Sequence, residues 1–187
     1  MILRLEQLKL LATATFAIWV TSASWVIADT SPVKGSSPTL LSAFFGLDNA
    51  MPFVVNLLCF GAAGDDGMPV VLSHRISSYS VRPEQFQITT RSGQLKTPKC
   101  ATLRPAGDPG ERRAVLLIGE FGHADTDPPE VVTIVEDLLS DTAEPLNFKG
   151  LSVEVTPLSE GPSMVLAESL DRKEWAVDRR GTLCPSE

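Results

Sequence analysis

Met68-Pro69-Val70-Val71-Leu72-Ser73-His74-Arg75-Ile76 alternates along its whole length. Met68, Val70, Leu72, His74 and Ile76 fall on one phase, and Pro69, Val71, Ser73 and Arg75 on the other. Successive side chains of an extended chain point to opposite faces, so a period of two describes a half-buried strand. The same period recurs on both sides of this stretch. In residues 85–90, Phe86 and Ile88 alternate with Gln85, Gln87 and Thr89, and in residues 151–156, Leu151, Val153 and Val155 alternate with Ser152, Glu154 and Thr156. Residues 53–60 and 114–118 are apolar on both phases, which is the composition of a central strand. Residues 131–135, residues 163–167 and a segment around Cys100 are further candidates.

The punctuation between these runs is that of turns. Gly64-Asp65-Asp66-Gly67, Ser92-Gly93 and Ala106-Gly107-Asp108-Pro109-Gly110 combine the residues that tolerate or favour tight chain reversal. The last two turns would string three consecutive strands into a meander. No helical pattern of useful length separates the strands, which disfavours βαβ units and a parallel sheet. Upstream, Leu40, Leu41, Phe44, Phe45 and Leu47 fall at helix-like spacings after Thr39, so residues 39–49 read as a short amphipathic helix or turn. The expected fold is all-β: an antiparallel β-sandwich of about seven to eight strands over residues 39–170.

Within that frame, Val81-Arg82-Pro83-Glu84-Gln85-Phe86-Gln87-Ile88-Thr89-Thr90-Arg91-Ser92-Gly93 resembles the strand–turn phrase of bacterial extracytoplasmic Ig-like domains. In these domains a Pro-x-x-Phe-x-Val/Ile-Thr run leads into a Ser-Gly turn, and residues 70–76 and 114–121 fit the neighbouring strands. The resemblance covers about half of the chain beyond residue 28, through a phrase that strand–turn units in general favour. It implies an Ig-like sandwich used for adhesion, spacing or ligand presentation, and it brings no catalytic residue with it. The Cys…Trp…Cys arrangement of antibody domains is absent from the core region.

The chain of 187 residues is 43% hydrophobic and carries a formal charge of −7, enough apolar content for a real core and too little cationic charge for a phosphate backbone. Nucleic acid is therefore not an expected partner. Its first 28 residues differ from the rest. Arg4 and Lys9 precede an uncharged stretch from Leu10 to Ala28, most apolar over residues 10–20. Val26-Ile27-Ala28 then offers small or modest residues before Asp29, with Ser22-Ala23-Ser24 as a second cleavage position. This is the anatomy of a secretory signal peptide over residues 1–28. The alternative is an uncleaved anchor through residues 10–28, long enough to span a bilayer, and it is the one route to the membrane that the sequence offers. Removal of residues 1–28 takes away Arg4, Lys9 and Glu6, leaving a chain one unit more negative than the whole. Residues 29–38 read as a Ser/Pro/Gly linker, and export places the protein in the periplasm or outside the cell.

An oxidising compartment gives the three cysteines meaning. Cys59 and Cys100 fall in strand candidates and are the expected disulfide, whereas Cys184 lies near the C-terminus and is left unpaired. No Cys-x-x-Cys or His-x-x-x-His spacing suggests zinc. Glu120-Phe121-Gly122-His123-Ala124-Asp125-Thr126-Asp127 is the one candidate metal loop: Glu120, His123, Asp125 and Asp127 supply the oxygens and imidazole that Ca²⁺ or a transition ion would take. A solvated loop closed by Pro128-Pro129 accounts for the same residues. His74 shares a phase with Val70 and Leu72 and reads as a hydrogen-bonded histidine of the core edge. Asp65 and Asp66 sit between glycines, in a turn that reads as too flexible to hold a catalytic pair. The tail, residues 171–187, is densely charged and carries Trp175, a candidate docking residue among solvated neighbours.

Together these features point to an exported, non-enzymatic binding or presentation domain whose partner is an envelope or extracellular protein or ligand. The competing expectations are a small exported hydrolase or metal-dependent enzyme using His74 or His123, and a structural component of an envelope assembly joined through its tail or Cys184.

Overall fold

The computed structural model describes residues 37–105 and 112–167. The signal segment, most of the linker, the turn at residues 106–110 and the tail with Trp175 and Cys184 lie outside the described residues. The domain is all-β. Eight strands follow in chain order: β1 (Leu40–Phe45), β2 (Asp66–Leu72), β3 (Phe86–Thr90), β4 (Leu95–Lys96), β5 (Cys100–Thr102), β6 (Ala114–Gly119), β7 (Pro129–Ile134) and β8 (Ser152–Pro157). Short 3-10 turns lie at Phe53–Leu57, Pro83–Gln85 and Leu158–Glu160. Among the described residues no helix is long and apolar enough to cross a membrane.

The strands form one sheet in the order β4-β3-β7-β8-β1-β2-β6-β5. Its two edge strands are nearly consecutive in sequence, since only Thr97, Pro98 and Lys99 separate β4 from β5. Four residue steps span at most about 14 Å, so the sheet must curl until its edges approach each other. The inward faces of both halves then meet in one core. Met68, Val70 and Leu72 of β2 and Val115 and Leu117 of β6 pack with Phe86 and Ile88 of β3 and Val132 and Ile134 of β7. Phe121, Leu138 and Phe148, from the connections, are fully buried with them.

The alternation at residues 68–72, 86–90 and 131–134 is realised as burial on every second residue. Strand direction is a different matter. Every pairing is antiparallel except β1 with β8, which run parallel through Ala43–Val155 and Phe44–Thr156. The purely antiparallel expectation is therefore corrected. A period of two reports which face a side chain takes and contains nothing about direction.

Two apolar segments exchange roles. Residues 39–49 do not form a helix, because Leu40–Phe45 is a central strand hydrogen-bonded on both edges, to β2 and β8. Its outer side chains, Ser42 and Phe44, line a groove roofed by residues 161–165, so both phases can be apolar and mimic helical spacing. Residues 163–167 are likewise not a strand but run irregularly, part of them over that outer face. Residues 53–60 form no strand at all. Pro52 precedes a 3-10 turn, and the Asn56 side chain accepts the Ala62 and Ala63 amides, closing the segment into a compact flap.

Candidate functional site

The flap, residues 51–62, covers the outer face of β5 and β6. Its inward residues Met51, Val55, Cys59 and Ala62 form a second small core with Ile118, flanked by Leu116 and Cys100. Its outward residues are strongly exposed: Phe53 at 83%, Leu57 at 85% and Phe60 at 95%, with Val54 and Leu58 beside them. No charged residue lies between Asp48 and Asp65. Single exposed apolar residues are ordinary, whereas here five share one short segment. Burying one such side chain is worth about 1.5–3 kcal/mol.

The flap is seated on a polar base. Lys99 Nζ donates to the Gly61 carbonyl at 2.9 Å and to Asp65 Oδ2 at 2.5 Å. That hydrogen bond raises the Lys99 ammonium above its ordinary value. Met51 and Asp65 are further tied through their backbones, Met51 N to Asp65 O at 3.0 Å. The adjoining Asp66 is fully buried and accepts the Asn49 and Phe121 amides, each at 2.7 Å. Burial still pushes its carboxyl above the usual range, against the lowering effect of the two donors. Glu120 is also raised, by desolvation first and then by the neighbouring Asp66 and Asp65 charges. Thus Asp65 and Asp66, expected in a flexible turn, are fixed by β2, by Lys99 and by buried amides. Their polarity and flanking glycines hide this, because the partners come from Asn49, Lys99 and Phe121.

The expected metal residues divide among separate tasks. Asp127 accepts the Ser92 amide at 2.7 Å, the Ser92 hydroxyl at 2.8 Å and the Thr90 hydroxyl at 2.9 Å, and these bonds hold its carboxyl below the ordinary value. His123 Nδ1 stands 3.5 Å from Asp48 Oδ2, and its backbone pairs with Asp127 in a β-bridge. Asp125 is exposed, and Glu120 faces Lys99 and the Asp65–Asp66 pair. Among the described residues no group of three or more His, Cys, Asp or Glu side chains is placed to hold a metal ion.

Cys59 and Cys100 do meet. Cys100 packs against the small cluster that holds Cys59, both are free thiols, and burial first, then the neighbouring Cys59, pushes Cys100 up to about 12. The expected disulfide is therefore absent from this structure, since a bond requires the sulfurs at covalent separation. His74 is buried at the end of β2, with Nδ1 2.9 Å from Ser73 Oγ and its ring edge-on to Phe148. Ser73 Oγ also accepts the Thr39 amide, tying the start of β1 to the end of β2.

Comparison with known proteins adds no relative: no family model, curated protein or solved structure matches this chain.

Proposed function

We propose that this chain is an exported, non-enzymatic binding or presentation domain of the periplasm or cell envelope, and that the outward face of the flap is its contact surface. The observation that carries this is the exposure of Phe53, Leu57 and Phe60 on one self-closed segment. Two further features support it. The signal-like segment at residues 1–28 directs the chain out of the cytoplasm. Residues 81–93 fold as a 3-10 turn, strand and turn, in keeping with the Ig-like phrase and its association with adhesion and presentation. The partner is an envelope or extracellular protein or ligand with an apolar contact area. The test is recovery of a defined binding component from an envelope fraction by the full chain and by a Phe53→Ser/Phe60→Ser variant of equal stability. About tenfold or greater loss is expected if these are the anchoring side chains. Equal recovery contradicts the assignment.

A second reading, an exported hydrolase, draws on the Ser73 hydroxyl beside the His74 imidazole, the pairing that activates a nucleophile. Both side chains are buried. A hydrolytic activity of the purified chain that disappears in a folded His74→Ala variant would favour it, and one that survives would remove it.

A further inference from the structure

The flap carries one of the two thiols gathered at the second core. Cys59 lies on its inner side, 7% exposed, and Cys100, packed against the same small core, is the first residue of edge strand β5. We propose that Cys59 and Cys100 form a reversible disulfide latch that fixes the flap to the sheet edge and so sets how much apolar surface the domain offers. This regulation rests on the reading of the flap as the contact surface.

Both partners belong to lightly held pieces of the fold. The flap is irregular apart from one 3-10 turn and rests on a second core much smaller than the main one. Strand β5 has three residues and, among the described residues, pairs with β6 alone. When the flap lifts, Met51, Val55 and Ile118 are uncovered in addition to the side chains already outside. A covalent tie between Cys59 and Cys100 opposes that opening directly, because it joins the flap to the strand beneath it. It also closes a loop of about 40 residues and so constrains the unfolded chain.

The chemistry is thiol–disulfide exchange with a small dialkyl disulfide, RSSR, as oxidant. Cys100, half-buried on the edge strand, is the more accessible of the two and reacts first, whereas Cys59 is covered by the flap. Cys100 loses its proton, and its thiolate attacks one sulfur of RSSR, giving a Cys100–SR mixed disulfide and RS⁻. Cys59 then loses its proton and attacks the Cys100 sulfur, forming the Cys59–Cys100 bond and releasing the second RS⁻. The two thiol protons end on the two RSH molecules. The protein loses two electrons and RSSR gains them. The thiolate is the attacking species, so latching accelerates as pH rises.

The test uses the full chain carrying Cys184→Ser, equilibrated across ratios of reduced and oxidised glutathione. The expected product has lost both thiols together, retains no glutathione and remains free of interchain bonds. It melts about 10 °C higher and binds about half as much of an apolar fluorophore as the reduced chain. Adding Cys59→Ser halts the reaction at one glutathione on Cys100. Survival of both thiols at the most oxidising ratio, or a stable glutathione adduct on the two-thiol chain, overturns the latch. Disulfide formation with equal fluorophore binding in the two states overturns its control of the apolar face. Failure of the underlying reading looks different: the reduced chain and its Phe53→Ser/Phe60→Ser variant then bind the fluorophore equally, whatever the thiols do, and the regulatory claim falls with it.

Discussion

The Asp66 carboxylate accepts the Phe121 amide at 2.7 Å, joining the start of β2 to the residue that follows β6 beyond Glu120. Its other oxygen accepts the Asn49 amide, so one buried side chain orders three segments around the base of the flap. Replacing Asp66 by Ala leaves two amides without their acceptor. The buried Phe121 donor costs about 1–3 kcal/mol when uncompensated and the part-buried Asn49 amide less, so Asp66→Ala is expected to destabilise the domain by about 2–3 kcal/mol in urea titration.

The same residue makes a pH prediction. The folded state raises the Asp66 carboxyl above 3.8, so between the unfolded and folded values the folded chain binds more protons. Its contribution to stability is therefore full below 3.8 and declines as pH rises through the folded value. Asp66→Asn removes that decline while retaining one acceptor oxygen. Urea titrations from about pH 3.5 upward should show a smaller loss of stability with rising pH in Asp66→Asn than in the parent.

Asp127 has the opposite sign. The Ser92 and Thr90 donors lower it below 3.8, so the stability it brings is present above that value and is lost as pH falls through the folded one. In acid titration, Asp127→Asn should narrow its stability deficit relative to the parent as pH drops below 3.8. A deficit that stays constant through this range would mean that the carboxylate charge contributes nothing to the Thr90–Ser92 turn.

Gly122 and Gly150 separate two costs of adding a side chain. Both have positive φ, 127° and 83°. A Cβ on Gly150 meets open space, whereas one on Gly122 collides with the Asp127 carbonyl oxygen. Gly150→Ala should cost about 1 kcal/mol, the conformational part alone. Gly122→Ala should cost at least about 2 kcal/mol, because the His123–Asp127 bridge must also shift.

These residues show where the sequence was legible. The Met68–Val70–Leu72 and Phe86–Ile88 periods identify strands and their inward faces, because a half-buried strand writes its burial directly into every second residue. Leu40–Phe45 and residues 53–60 differ from their sequence expectations for one reason: a largely apolar run with no strict alternation has no period of two to read. The first is central in the sheet, and the second lies outside it. Pro52 and Asn56 are the signals that distinguish the flap, since one lacks an amide for a ladder and the other turns the chain by accepting two amides. Strands β4 and β5 are too short to carry a pattern. Among the candidate sites, the sequence paired Cys59 with Cys100 and the structure brings them together, as thiols. The loop at residues 120–127 looked like one ligand set, but its side chains turn to different partners, Asp48 for His123 and the Thr90–Ser92 turn for Asp127. Such partners lie far off in sequence, which is why the buried base at Asp65 and Asp66 was also missed.

Lys99 holds the flap at an exposed rim, and its loss should be felt locally. Its side chain is 44% exposed and pairs with a nearly buried carboxylate. Lys99→Met leaves the nearly buried Asp65 carboxylate without its ammonium partner, so the flap base should loosen. Hydrogen exchange at residues 59–62 should accelerate, because the Gly61 carbonyl loses its donor.

The contact surface assigned to the flap is tested most directly by hydrogen exchange of the full chain with and without a solubilised envelope fraction. The account predicts slower exchange concentrated at residues 53–60 in the presence of the fraction, and no slowing there in a Phe53→Ser/Phe60→Ser variant. Slowing confined to other parts of the sheet, or identical protection in the variant, would contradict it.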